Sequence, residues 1–153
     1  MFNFPLFLDL KDKPVVVIGG GKVACRKIKK LVLAYADIVV VAPKIHEDLK
    51  YLYDNGEIHW IKDVCRSDYL STAFLIVSAS GDQSAQHIIR DSVHPHQLVN
   101  GADDPDLGNV AFPAAFEEDQ YHIAVSTKGH SPGAAKRMKQ QLQDWIKRNK
   151  TQK

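Results

Sequence analysis

The sequence predicts an α/β chain in which an open parallel sheet with helices on both faces is followed by a small α+β segment, a hairpin plus a long amphipathic helix. Three observations carry that expectation. Val15-Val16-Val17-Ile18 is an unbroken β-branched run that ends in Gly19-Gly20-Gly21 and passes into a helical pattern. Buried-strand and helix patterns then alternate up to about residue 100, as repeated βαβ units do. Beyond Asn100 the alternation stops, and two strand patterns follow one another directly.

At 153 residues the chain is long enough to bury a real core, and 44% hydrophobic with 25% charged residues is a globular composition. A net charge of +2 is too mild to point to nucleic acid. No run approaches the ~18 apolar residues of a membrane span. The start, with Pro5 and Asp9, lacks the basic and then apolar character of a signal peptide. The expected setting is cytoplasmic, with no membrane partner. Cys25 and Cys65 share no metal-ligand spacing and are read as reduced thiols without a role.

Residues 2 to 10 alternate apolar and polar apart from Phe7, which suggests an extended lead-in broken by Asp12-Lys13-Pro14. The first strand, Val15 to Ile18, is apolar throughout and so is expected to be buried on both faces. Its glycine turn, Gly19-Gly20-Gly21-Lys22-Val23-Ala24, fits Gly-x-Gly-x-x-Ala, the Rossmann-like form that holds a dinucleotide pyrophosphate. Gly19 allows the tight turn, Gly21 lets the backbone approach the phosphates, and Ala24 packs helix on strand. Lys22 and Val23 open a helix whose free N–H groups and partial positive charge favour an anion. That helix runs to about Tyr35. Val23, Ile28, Leu31 and Val32 form its apolar stripe, and Lys22, Arg26, Lys27, Lys29 and Lys30 read as a solvated face or, less simply, as phosphate ligands.

Asp37 to Ala42 is a second buried strand, closed by Pro43. In a Rossmann unit an acidic residue near this strand's end bonds the adenosine ribose. Here Pro43 and Lys44 stand instead, so the ribose is held by backbone or a 2′-phosphate is tolerated near Lys44, and NAD and NADP both stay open. A polar helix is expected over 45 to 53, a turn at Asn55-Gly56, and a short strand over 58 to 61. Ala73 to Ala79 is the next buried strand. It opens into Ser80-Gly81-Asp82, which should lie beside the glycine turn on the carboxyl edge of the sheet. A helix over 82 to 93 and a strand over 97 to 100 complete a parallel sheet of about five strands. His94 and His96 flank Pro95 without a third ligand nearby, which favours a solvent loop over a metal site.

Residues 112 to 116 and 121 to 126 read as an antiparallel hairpin joined across Glu117-Glu118-Asp119-Gln120. Ser131-Pro132 then opens a helix as N-cap and first residue. Ala134, Ala135, Met138, Leu142, Trp145 and Ile146 form its apolar stripe, which in so small a segment calls for a second copy of the chain as cover. Charge also segregates. Residues 103 to 119 hold six acids and no bases, whereas 128 to 153 hold eight bases, among them Lys136, Arg137, Lys139 and Lys153, against Asp144. Part of that positive charge would suit a large polyanionic ligand. The expected division is a dinucleotide-binding domain over 1–100 and a dimerisation and substrate segment over 101–153.

Taken together, these residues resemble the precorrin-2 dehydrogenase / sirohydrochlorin ferrochelatase family of siroheme biosynthesis. The likeness runs through Phe4-Pro5-Leu6-Phe7-Leu8-Asp9-Leu10, the glycine turn with Arg26-Lys27, and Val40-Val41-Ala42-Pro43. It continues in Val99-Asn100-Gly101-Ala102-Asp103-Asp104-Pro105, Phe112-Pro113-Ala114, Ile123 to Thr127 and Gly129-His130-Ser131-Pro132. The glycine turn is widely shared; the Asn-x-x-Asp segment, the Phe-Pro strand and the Ser-Thr…Gly-x-Ser-Pro helix start are specific to this family.

The resemblance implies NAD-dependent dehydrogenation of precorrin-2 to sirohydrochlorin by a homodimer, with iron insertion as a further activity. It puts the catalytic aspartate on Asp103, and it accounts for the missing acid at Pro43, since the family lacks one there and chiefly uses NAD. Candidate cofactor residues are Gly19, Gly20, Gly21, Lys22, Val23, Pro43, Lys44 and Ser80. Candidate residues for the anionic tetrapyrrole are Thr127, Ser131, Lys136 and Arg137; no metal ligand is assigned. Two departures stand out: Lys128-Gly129 where Gly-Gly is usual, and an end near Lys153 where relatives carry a further helical region. A non-catalytic NAD(H)- or tetrapyrrole-binding module, and a domain that only senses NAD(H), are the competing expectations.

Overall fold

The computed structural model describes residues 2–150, so Lys153 lies outside the described residues. The described chain forms two compact units, one of residues 6–110 and one of residues 2–5 with 111–150.

The first unit is a five-stranded parallel sheet with the order β3-β2-β1-β4-β5. Its strands are β1 (Pro14–Ile18), β2 (Asp37–Val41), β3 (His59–Ile61), β4 (Leu75–Ser78) and β5 (Leu98–Gly101), with α1 (Lys22–Leu33), α2 (Glu47–Asp54) and α3 (Gln83–Ser92) between them. The apolar runs read as buried strands are buried: Val15, Val17, Val40, Ile76 and Val77 are within 0% exposure. The chain builds outward from β1 in one direction through β2 and β3, then returns to the other side of β1 with β4 and β5. Right-handed crossovers therefore put α1 and α2 on one face and α3 on the other. The strand order reverses between β1 and β4, which pair in register from Val15↔Leu75 to Ile18↔Ser78. Outside the carboxyl ends of those two strands lies the crevice where ligands bind in open α/β sheets.

Local chemistry sets the boundaries. Asp82 caps α3 by accepting from the Ser84 N–H at 2.9 Å, and His46 caps α2 through Nδ1 at 3.2 Å from the Asp48 N–H. Gln97 is fully satisfied inside: its Nε2 donates to the carbonyls of Leu70 and Ala73, both at 2.7 Å, and its Oε1 accepts from the His94 N–H at 2.8 Å. β5 is an edge strand, and the segment after it covers that edge. Val99 donates to Asn109 Oδ1 at 2.7 Å, and its carbonyl accepts from the N–H groups of Asn109 and Val110. Two short 3₁₀ turns span Ser67–Tyr69 and Pro105–Leu107.

The lead-in is not a strand: residues 2–10 form no ladder, and Phe4, Leu6 and Phe7 stand exposed, because alternation alone supplies no pairing partner. His94 and His96 are exposed with stacked rings 5.6 Å apart.

In the second unit β6 (Ala114–Glu118) and β7 (Tyr121–Val125) form the antiparallel hairpin, and α4 (Pro132–Lys150) follows. Two boundaries differ from the sequence expectation. β6 starts at Ala114 instead of Phe112, as Pro113 has no N–H for a ladder. The strands also run closer to the tip, leaving Asp119-Gln120 as the turn, with Asp119 in the left-handed region at φ 50° that Asp tolerates. On the α4 stripe Ala135 is buried, while Met138 and Trp145 are 49% and 60% exposed in the single chain.

Candidate functional site

The three glycines after β1 have different physical reasons to be glycine. Gly19 has φ 119°, and a Cβ there would lie 2.5 Å from the Ala79 carbonyl oxygen at the end of β4. At Gly20 a Cβ would run into the Lys44 carbonyl, because the chain after β2 comes back to Gly20, whose carbonyl accepts from the His46 N–H at 2.7 Å. Gly21 is unlike both: its backbone is ordinary at φ −85°, and a Cβ would meet nothing within 4 Å. Two glycines serve chain packing, and the third keeps open space outside the protein's own contacts. Ala24, in the third small position of the motif, is fully buried.

Gly21 is also the N-cap of α1. It offers no capping side chain, and the first turn holds no acid, so among the described residues the free N–H groups of this turn have no side-chain acceptor. A buried strand, an uncapped helix start and an open approach at Gly21 fit a dinucleotide pyrophosphate. Lys22 and Val23 are exposed on that first turn, and Pro43 and Lys44 are exposed directly after β2. Ser80 is exposed after β4, where its Oγ accepts from the Asp82 N–H at 3.2 Å.

Asp103 stands on the same edge, just past β5. Its Oδ2 accepts from the Gly81 N–H at 2.5 Å and its Oδ1 from the Ser78 hydroxyl at 3.3 Å. The acid after β5 is thereby tied to the end of β4, beside the switch point, with its carboxylate exposed. Asp104 does other work: its Oδ1 caps the following 3₁₀ turn from the Asp106 N–H at 3.1 Å, and its Oδ2 meets Arg90 at 3.3 Å.

Lys27 was grouped with the solvated bases of its helix, and the structure corrects that. Its Nζ donates to Asn100 Oδ1 at 2.7 Å, and it is half-buried. Burial, with the neighbouring charges of Arg26 and Lys30, lowers its ammonium to about 8, and the Asp103 carboxylate opposes that fall. The signal was present in the spacing. Ala24, Lys27 and Leu31 lie at i, i+3 and i+7, on one helix face, and both flanking members are buried.

Cys25, His46 and Asp48 also bring possible ligand atoms within 4.8 Å of one another. Each is already engaged: His46 Nδ1 caps α2, Asp48 pairs with Lys29 at 2.6 Å, and the Cys25 thiol donates to Asp48 at 3.7 Å. The cluster reads as a helix-capping ion network.

Thr127, Ser131, Lys136 and Arg137 belong to the second unit. Thr127 Oγ1 accepts from the Ser131 N–H at 2.9 Å and donates to the Ser131 carbonyl at 3.0 Å. Ser131 Oγ accepts from the Ala134 N–H at 3.2 Å, the N-cap role expected of it. Lys136 and Arg137 are exposed. Lys150 is drawn elsewhere, pairing at 2.5 Å with both Glu118 and Asp119 of the hairpin.

Residues 6–114 match a family model described as "Putative NAD(P)-binding". The chain is 33% identical over 150 residues to a siroheme synthase of Actinobacillus pleuropneumoniae serotype 3 (strain JL03), covering 97% of this chain and 31% of the relative. It is 36% identical over 144 residues to a siroheme synthase of Neisseria meningitidis serogroup C (strain 053442), covering 94% and 30%. It thus spans about a third of the length of these curated relatives. Among solved structures it is similar to SirC, precorrin-2 dehydrogenase, with a TM-score of 0.84 and 33% identity over 93% of this chain and 70% of SirC. A likeness of that extent in both sequence and structure carries the conclusion: this chain belongs to the NAD(P)-binding family of the precorrin-2 dehydrogenases and siroheme synthases.

Proposed function

We propose that the protein oxidises precorrin-2 to sirohydrochlorin with NAD⁺. The observation that supports this most directly is Asp103, an exposed carboxylate tied by Gly81 and Ser78 to the edge that also carries the uncapped glycine turn. NAD⁺, when bound, supplies the hydride acceptor. The chain's residues do the rest. The turn at Gly19 to Val23 binds the pyrophosphate through backbone N–H groups, and Pro43, Lys44 and Ser80 border the remainder of the cofactor. Asp103 accepts the proton that the macrocycle sheds as its hydride leaves, and its charge stabilises the cationic ring system formed on the way. One hydride and one proton depart, and NADH and H⁺ are the balancing products.

The substrate is a polyanion, and in this reading Thr127, Ser131, Lys136 and Arg137 recognise its carboxylates. A homodimer covers Met138, Leu142 and Trp145. Neither nucleic acid nor membrane takes part; among the described residues no helix is long and apolar enough to cross a membrane. The working compartment in this reading is the cytoplasm. Mixing purified protein with precorrin-2 and NAD⁺ under anaerobic conditions tests the proposal. The sirohydrochlorin spectrum should grow in step with NADH absorbance. Binding of either ligand without that change would assign the chain to the non-catalytic readings.

A further inference from the structure

Two residues hydrogen-bonded to the glycine turn carry metal-ligating side chains. The Cys25 N–H donates to the Gly21 carbonyl at 2.9 Å, and the His46 N–H donates to the Gly20 carbonyl at 2.7 Å. Asp48 follows in the first turn of α2, and Cys25, His46 and Asp48 each bring a donor atom within 4.8 Å of the others. Cys25 is buried, His46 partly so and Asp48 exposed, which gives the group one closed side and one side facing solvent. Cys25 Sγ stands 3.7 Å from Asp48 Oδ2, and His46 Nδ1 stands 4.0 Å from Asp48 Oδ1. Ligands at ordinary zinc bond lengths around a tetrahedron lie roughly 3.4–3.6 Å apart, so shifts of about half an ångström close the set. In this structure the positive charge comes from Lys29, four residues after Cys25 on the same helix face. Its ammonium meets Asp48 Oδ2 at 2.6 Å, the same oxygen that accepts from the thiol. The other two donors are held weakly, the thiol by that one long contact and His46 Nδ1 by a single backbone hydrogen bond at 3.2 Å.

We propose that Cys25, His46 and Asp48 form a binding site for a divalent transition metal of the zinc or cobalt class, with a fourth position open to water. One sulfur, one imidazole nitrogen and one carboxylate select such an ion over magnesium or calcium, which take oxygen ligands. On binding, the thiol gives its proton to solvent and the Lys29 ammonium leaves Asp48. Thiolate and carboxylate then carry two negative charges, which the ion balances. Glu47, beside Asp48 in the first turn of α2, adds negative charge that offsets the positive end of the helix. The bound ion clamps α1 to the start of α2 behind the glycine turn. The site stands independently of the dehydrogenase reading.

Titrating the full, reduced chain with Co²⁺ alone, free of oxygen and cofactor, reads the site without turnover. Wild type should take up one ion per chain and show the near-ultraviolet thiolate-to-cobalt band together with the intense visible bands of a tetrahedral ion. Zn²⁺ should remove both sets of bands. C25S should lose the thiolate band, and H46N and D48N should each weaken Co²⁺ binding at least about tenfold. Asn is itself a favoured N-cap, so α2 should stay formed in H46N. C65S, and H94N combined with H96N, should leave the spectrum unchanged, which separates this site from the other cysteine and from the stacked histidine pair. K29M removes the competing ammonium and should tighten binding about threefold or more. A wild-type chain without the thiolate band at millimolar Co²⁺, a band that survives C25S or is lost in C65S, or affinity untouched by H46N and D48N would overturn the site. Binding weakened or unchanged in K29M would overturn the exchange with Lys29.

Discussion

The Gly81 N–H meets Asp103 Oδ2 at 2.5 Å, joining the turn after β4 to the acid after β5. Neither partner is in a regular element, yet each follows a strand whose neighbours are paired in register, Ser78 opposite Gly101. The hydrogen bond is therefore placed by the sheet: two rigid strands deliver two loops to one point. A site built in this way is sensitive to single-residue chemistry while leaving the core untouched.

Gly21→Asp should separate cofactor binding from folding. The backbone at Gly21 suits any residue and a Cβ there has open space, so the variant should melt within a few degrees of wild type. A carboxylate at the start of α1 would repel the pyrophosphate and fill its approach, costing on the order of 2–4 kcal/mol of NAD⁺ affinity. Gly19→Ala should do the reverse and lower the melting temperature, since its Cβ would strike the Ala79 backbone at φ 119°. Calorimetric titration with thermal melts reads both; unaltered affinity in Gly21→Asp would take the turn out of the site.

The α4 stripe predicts a dimer. Met138 and Trp145 stand largely exposed with Leu142 between them, and covering each is worth roughly 1.5–3 kcal/mol. Sedimentation at micromolar concentration should find two chains, and Trp145→Lys should shift the population to one. A wild-type monomer at that concentration would refute this.

Steering by α4 should be salt-sensitive. Lys150 is committed to Glu118 and Asp119, so the test falls on Lys136, Arg137 and Lys139. Replacing all three with Gln should weaken tetrapyrrole binding about tenfold at low ionic strength, and less as salt rises toward a Debye length of ~8 Å. NAD⁺ affinity should hold. Tetrapyrrole affinity independent of salt would leave these bases as a solvated face.

Cys65 predicts an alkaline loss of stability. Burial, and to a lesser degree the Asp82 charge, pushes its thiol up to about 11. In the unfolded chain the thiol ionises near its ordinary value of about 8.5, so between these values the folded state holds a proton that the unfolded state has lost. Stability is intact below the ordinary value and drains as pH rises through the folded one, by up to about 3 kcal/mol. Denaturant midpoints at pH 8 and 10.5 should differ less in Cys65→Ala than in wild type; an equal difference would mean that the thiol is not linked to folding.

Much of this could be read from residues alone, for identifiable reasons. β1, β2 and β4 are apolar runs bounded by Gly or Pro, and burial on both faces leaves such runs little alternative. Ser131 caps its helix where its position before a helical pattern said it would. The misses occur where partners distant in sequence decide. The lead-in alternates like a strand but finds no ladder, and Phe112 waits on Pro113. Lys27 is invisible to a charge count, because its meaning depends on Asn100, 73 positions away. The distinct reasons for Gly19 and Gly20 likewise come from Ala79 and Lys44, which no local pattern connects to them.

Asp103 gives the most discriminating prediction, because its neighbour supplies the control. Asp103→Asn keeps an oxygen for the Gly81 N–H and preserves size, so the loop after β5 should hold its place. What it loses is the negative charge and the ability to take a proton. The variant should fold and bind NAD⁺ as wild type does, yet oxidise precorrin-2 about 10²-fold more slowly or worse, the usual scale for a positioned acid-base group. The loss should appear in kcat more than in KM, since the missing interaction develops as the hydride departs. Asp104→Asn keeps the oxygen that caps the 3₁₀ turn and sacrifices only a partly exposed pair with Arg90, worth about 0–1 kcal/mol. It should retain most of the activity. Equal loss in both variants would point to the loop's structure instead of the Asp103 carboxylate, and undiminished turnover in Asp103→Asn would return that residue to the role of a turn acid holding Gly81.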